Sequence, residues 1–150
     1  MSEPANTHPT LSVAEVTALI DAHFPQIHVG GRSMVIESVG SRQARVRLKF
    51  TEGSVRPGGT ISGPAMFTLA DFSIYVALIA TLGAEGIPAL TTNLNITFLK
   101  RPKQGDLIAQ TRIIRLGRRL AYADVALSMD GGGEEVAHAT GSYAIIKSGG

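Results

Sequence analysis

The 150-residue chain contains no cysteine. That absence removes disulfides, thiolate metal sites and cysteine nucleophiles together. It also suits a reducing interior, so a cytoplasmic protein is expected. Charge of neither sign dominates. The 14 Lys and Arg against 12 Asp and Glu leave a net +2, which is not the clustered basic footprint of a nucleic-acid binder. The start, Met1 to Asn6, lacks a basic n-region and an apolar h-region, so no signal peptide is predicted. Gly-x-Ser-x-Gly is missing, which sets aside the serine-hydrolase elbow. His8, His28 and His138 have no metal-ligand spacing among them. Asp130-Gly131-Gly132-Gly133 lacks the Lys-Ser/Thr of a phosphate loop and reads as a hairpin turn. Neither a metal nor a redox cofactor is implied.

What is present is a globular composition, 44% hydrophobic and 17% charged. Its centre is a long apolar run. Pro64 to Leu82 reads as one helix, with Pro64 at the first helical position and Ser62 as its cap. The run is apolar on every side, so the helix belongs in a core or a membrane. Asp71 near its middle and the strand-like segments after it favour a core over a membrane span. A carboxylate in such surroundings must be paired, protonated or functional.

Met1 to Thr10 is expected to be a flexible tail, and residues 11–150 a single domain. Ser12-Val13-Ala14-Glu15 is a capping box that opens a short amphipathic helix ending near Phe24-Pro25. Strands are predicted at Met34–Val39, Gln43–Phe50, Ala89–Leu99, Asp106–Leu116, Leu120–Met129 and Glu135–Ile146. The short breaks among the last four favour an antiparallel meander. Thr92, Leu94, Ile96 and Phe98 share one face by alternation, taken as the inward one, with Thr91, Asn93 and Asn95 on the other. Ala137, Ala139 and Gly141 form a small-residue face suited to close packing on the helix. The fold class is α+β: one buried helix inside a curved antiparallel sheet of about six strands.

Three segments carry a family resemblance: Gly63-Pro64-Ala65-Met66-Phe67-Thr68-Leu69-Ala70-Asp71, Asn95-Ile96-Thr97-Phe98-Leu99-Lys100-Arg101-Pro102, and Leu116-Gly117-Arg118-Arg119-Leu120-Ala121-Tyr122. With the order of elements, they resemble the hotdog-fold acyl-CoA thioesterases of the phenylacetic acid degradation and 4-hydroxybenzoyl-CoA superfamily, over roughly Met34 to Ile146. Relatives usually carry His-Gly-Gly at the helix entry, with an Asn six residues before the His. Here Ser62-Gly63-Pro64 and Arg56 stand at those positions.

The resemblance implies acyl-CoA hydrolysis, with Asp71 as base or nucleophile and the Gly63 amide holding the thioester oxygen. Thr91 falls near a hydroxyl that relatives use to orient water. Arg56, Ser62 and Asn93 are further substrate-binding candidates. Lys100, Arg101, Arg118 and Arg119 fall in loops where relatives contact the phosphates of coenzyme A, which enters only as part of the substrate. Gly63 and Asp71 are eight residues apart on one helix, about 12 Å along its axis. One carbonyl cannot sit about 3 Å from both. A homodimer with two antiparallel central helices is therefore expected, and pairing of dimers into a homotetramer is expected with it. A non-catalytic acyl-CoA-binding sensor of the same fold is the alternative, because of Arg56 and Ser62. A hotdog dehydratase acting on an enoyl-CoA is a third reading. His23-Phe24-Pro25, which resembles a dehydratase motif, ends the first helix instead of preceding the central one, and is read as coincidence.

Overall fold

The computed structural model describes residues 10–28, 31–51 and 55–146. Almost all of the predicted tail, His8, Gly30 and part of the loop before the central helix lie outside the described residues.

The first helix, α1, spans Val13–His23. Ser12 accepts from the Glu15 amide, and the Glu15 carboxylate accepts in return from the Ser12 amide, so the capping box forms as the sequence predicts. Pro25 stops the helix, and Pro25–His28 continue as a single 3-10 turn. Strands β1 (Met34–Gly40) and β2 (Gln43–Leu48) form a hairpin. The central helix α2 runs Gly63–Leu82, one residue longer at its start than predicted. Ser62 caps it by accepting from the Ala65 amide at 3.2 Å. Its buried serine and threonine hydroxyls are satisfied within the helix: Ser73 donates to Leu69 O and Thr81 to Ala77 O. Four strands follow: β3 (Leu90–Phe98), β4 (Leu107–Leu116), β5 (Leu120–Met129) and β6 (Glu135–Ala144).

The six strands form one antiparallel sheet in the order β1-β2-β4-β5-β6-β3. Two expectations need correction. First, β3 to β6 are not a simple meander. Only β4, β5 and β6 are joined neighbour to neighbour, while β3 lies beyond β6 at the sheet edge. The break Pro102–Gly105 is therefore a crossover between an edge strand and a central one. Its shortness alone did not fix the pairing. Second, β3 does not alternate cleanly. The register slips between Thr91 and Asn93, so Thr91 pairs Tyr143 while Leu94 pairs Gly141. That extra residue places both Thr91 and Leu94 on the inner face, where simple alternation put Thr91 outside.

The concave face of the sheet wraps α2. By length and composition the helix would pass for a membrane span, yet 72% of its most apolar window is buried inside the fold. The small inner face of β6 does what its residues suggest: a Cβ on Gly141 would lie 2.9 Å from Ile74 Cδ1 and 2.7 Å from Leu94 Cδ1. Helix and sheet touch closely there because glycine is present. The start of α1 is tied to the end of α2 by the Leu11 amide, which donates to Ala80 O at 3.1 Å.

Candidate active site

Asp71 sits halfway along α2, half-buried, on the side facing β3 and β6. Its Oδ1 accepts two hydrogen bonds, from Thr91 Oγ1 at 2.9 Å and from the Tyr143 hydroxyl at 2.6 Å. The same Tyr143 hydroxyl lies 2.8 Å from the main-chain oxygen of Asp71. Among the described residues nothing hydrogen-bonds to Oδ2. Burial pushes the Tyr143 phenol well above the usual tyrosine range, and the adjacent Asp71 carboxylate adds to the shift. A phenol so placed stays protonated and donates.

The carboxylate borders a cavity of about 430 Å³ lined by α1, the turn after it, α2 and the start of β3. The chain has five Phe and three Tyr, and Phe24, Phe67, Phe72, Tyr75 and Tyr143 all line this one cavity. Tyr75 is fixed at both ends. Its hydroxyl donates to Ile87 O at 2.6 Å, and its ring stacks on Tyr143 with centroids 6.3 Å apart. The Phe24 ring meets it edge-on. Burial raises the Tyr75 phenol above its usual range too. The wall is thus mainly apolar and aromatic, with Asp71, Thr91 and the Tyr143 hydroxyl as one polar cluster in it and His23 and Thr68 as further polar side chains.

Gly63 is the first residue of α2, and its amide has no acceptor within the helix. The Phe98 ring at the far end of β3 lies across it. Since Asp71 meets Thr91 and Gly63 meets Phe98, α2 and β3 run antiparallel. The acid and the amide therefore face opposite ends of one edge strand. The remaining candidates divide along the same axis. Arg101 packs over Gly58, where a Cβ would lie 2.8 Å from Nη2, and Gln104 packs over Gly59 in the same way. Both glycines need positive φ, 106° and 83°, to make the turn that precedes the helix. Arg56 opens that turn, its amide donating to Thr60 O. Lys100 lies 3.6 Å from Glu134. Arg56, Lys100 and Arg101 thus belong to the Gly63 end. Arg118 and Arg119 sit at the β4–β5 turn, where Arg119 O accepts from the Ile145 amide, beside the start of β3 and the Asp71 end. Ser62 serves as the helix cap, and Asn93 stands exposed just past the bulge, paired with Ser142.

Three contributors escape the sequence reading. Tyr143 is one step further along the small inner face of β6, Ala137, Ala139 and Gly141, so the same period of two points to it. His23 and Phe24 line the cavity from the end of α1. Nothing local in the sequence signals that the end of α1 packs beside Asp71.

Residues 58–136, more than half of the chain, match the thioesterase superfamily. A crystal structure from Silicibacter sp., provisionally named a thioesterase, is 36% identical with a TM-score of 0.82, covering 95% of this chain and 96% of that one. A Saccharolobus solfataricus protein, provisionally named an esterase, is 28% identical over 143 residues, 95% of this chain and 91% of its own. Human acyl-coenzyme A thioesterase 13 is 29% identical over 91 residues, 60% of this chain and 64% of that one. With its six-stranded sheet wrapped on one helix, the chain belongs to the thioesterase superfamily and is a thioester hydrolase on the hotdog fold.

Proposed function

We propose that the protein hydrolyses an acyl-coenzyme A thioester with a hydrophobic acyl group, in a site shared between two copies of the chain. One observation carries this reading: a carboxylate held by Thr91 and Tyr143 at the wall of an apolar cavity of about 430 Å³. The acyl group occupies that cavity and places its thioester carbonyl against Asp71. The acid either takes a proton from a water that attacks the carbonyl carbon, or attacks it directly. The negative oxygen that develops is held by the Gly63 amide of the second copy, at the positive end of its helix. Collapse of the tetrahedral intermediate breaks the C–S bond. When water is the attacking group this leaves the free acid; when Asp71 attacks, it leaves a mixed anhydride on Asp71 that a water then cleaves to free acid and the regenerated carboxylate. By either route the proton lost by that water ends on the departing thiolate of coenzyme A.

The second copy is supported by the antiparallel run of α2 and β3. A two-fold axis beside the edge strand β3 brings the Gly63 end of one copy to the Asp71 end of the other. It also joins Arg56, Lys100 and Arg101 of one copy with Arg118 and Arg119 of its neighbour, which suits a phosphate-bearing substrate. Exposed apolar side chains on β3, Leu90 (62%) and Phe98 (52%), and Leu99 (56%) just past its end are fit to be covered by such a contact. Further pairing of dimers, a cytoplasmic setting and the lack of any cofactor requirement complete the proposal.

The test is thiol release from butanoyl-, octanoyl- and benzoyl-coenzyme A by wild type, Asp71→Asn and Asp71→Ala. A protein without cysteine adds no thiol background to that assay. Turnover is expected for wild type and a loss of at least about a hundredfold for both variants. Unchanged turnover in both removes Asp71 from the mechanism. Binding of all three compounds without turnover points instead to an acyl-coenzyme A sensor, the alternative that Arg56 and Ser62 keep open.

A further inference from the structure

We infer that Tyr143 is a positioning residue that decides which oxygen of Asp71 does the chemistry; this rests on Asp71 being the base or nucleophile. Two hydroxyls occupy Oδ1, and among the described residues Oδ2 has no protein donor. Of the two, Tyr143 has the firmer purchase. It lies within hydrogen-bond distance of both the Asp71 carboxylate and the Asp71 main-chain oxygen, which registers the side chain against its own helix. Its ring is stacked on Tyr75, which is itself tethered to Ile87 O. It stands on β6, inside the sheet, whereas Thr91 stands on the exposed edge strand.

The consequences are chemical. A donor on Oδ1 favours the ionised carboxylate over the protonated one. It also spends the lone pairs of one oxygen, so that a water or a thioester carbonyl meets the other. Apart from Asp71, the titratable side chains facing the cavity are Tyr143, Tyr75 and His23. None of these gives Oδ2 a donor in its place.

Tyr143→Phe keeps the ring and its stacking and deletes only the hydroxyl. With octanoyl-coenzyme A, kcat is expected to fall about tenfold or more while KM stays within about twofold. The acid limb of the kcat/KM profile should move to higher pH. Replacement of Tyr143 by 3-fluorotyrosine keeps the hydroxyl and makes it a stronger donor, so the same limb should move to lower pH. A purely structural role predicts no opposed displacement of this kind. If the Phe variant folds poorly in a melting scan, the fluorotyrosine protein alone decides the question. An acid limb unmoved in the fluorotyrosine protein overturns the assignment. So does a Phe variant that folds and shows wild-type kcat. Loss of turnover in Asp71→Asn together with wild-type behaviour of both Tyr143 variants leaves the reading of Asp71 standing and removes Tyr143. Full turnover in Asp71→Asn removes both.

Discussion

The Phe98 ring lies across Gly63, so that a Cβ placed on that glycine would sit 3.3 Å from Phe98 Cζ. A bare α-carbon therefore stands between the first amide of the central helix and an exposed aromatic ring. Gly63 has no positive φ, so no left-handed backbone conformation demands the glycine. Gly63→Ala should consequently cost little stability, because the exposed Phe98 can shift by a few tenths of an ångström and alanine favours a helix. Its effect should fall on turnover, with kcat down by about tenfold as the new methyl crowds the approach to the amide. Melting and thiol-release measurements on the same preparation check this. A large drop in melting temperature would show that glycine is there for packing.

Gly141 gives the opposite contrast. A Cβ there would meet Leu94 Cδ1 at 2.7 Å, Ile74 Cδ1 at 2.9 Å and Asn93 O at 3.2 Å, between the helix and two strands. Gly141→Ala is expected to cost about 1–3 kcal/mol by overpacking. The melting temperature should fall by several degrees, as read by calorimetry. Since Tyr143 follows two residues later on the same face, some loss of activity should accompany it.

Most of the fold could be read from residues with strong local meaning. Ser12 with Glu15 and Ser62 with Pro64 mark the helix starts, alternation marks β2, and the turns at Gly117-Arg118 and Asp130–Gly133 mark the ends of β4 and β5. Asp71 stands out in the sequence as an acid in an apolar run, whereas Gly63 enters as a candidate only through the family resemblance. The failures lie where non-local pairing decides. The place of β3 beyond β6 depends on how the whole sheet closes over α2. Neither the length of its flanking loop nor its composition encodes that. The bulge between Thr91 and Asn93 then reverses the expected face of Thr91, and alternation has no means of announcing it. The alternation of β6 places Tyr143 on the inner face, but nothing local joins it to Asp71, 72 residues away.

Arg47 joins three acids from different parts of the chain. It donates to Glu37 at 2.6 Å, Asp106 at 3.0 Å and Asp130 at 3.1 Å. Its hydrogen bonds hold Glu37 below its ordinary 4.5 and Asp130 below its ordinary 3.8. A carboxyl lowered on folding is ionised in the native state where the unfolded chain already binds a proton. Stability from such a group is present above the ordinary values and is lost as pH falls through the lowered native ones. Arg47→Met should therefore lower the melting temperature above about pH 5. Its curve should converge on that of wild type in more acid solution. A melting series from neutral pH downward checks this, and a constant gap at every pH would show that Arg47 acts by packing alone.

The proposed sharing of one site between two chains makes the strongest prediction. Asp71→Asn removes the acid, and Gly63→Val screens the amide with two methyl groups. Each variant alone should be nearly inactive, since each damages both sites of its own homodimer. In a mixed dimer the two defects fall in the same site, and the other site keeps an intact acid and an intact amide. Random reassortment makes half of the dimers mixed, and each of these has one good site of two. Co-refolding of the two inactive proteins should thus restore roughly a quarter of wild-type activity. A site made within one chain predicts no recovery at any mixing ratio, because every chain then carries a defect in its own site. The geometry favours recovery, since eight residues of helix hold the two groups about 12 Å apart along the axis, and no motion of a rigid helix brings them to one carbonyl.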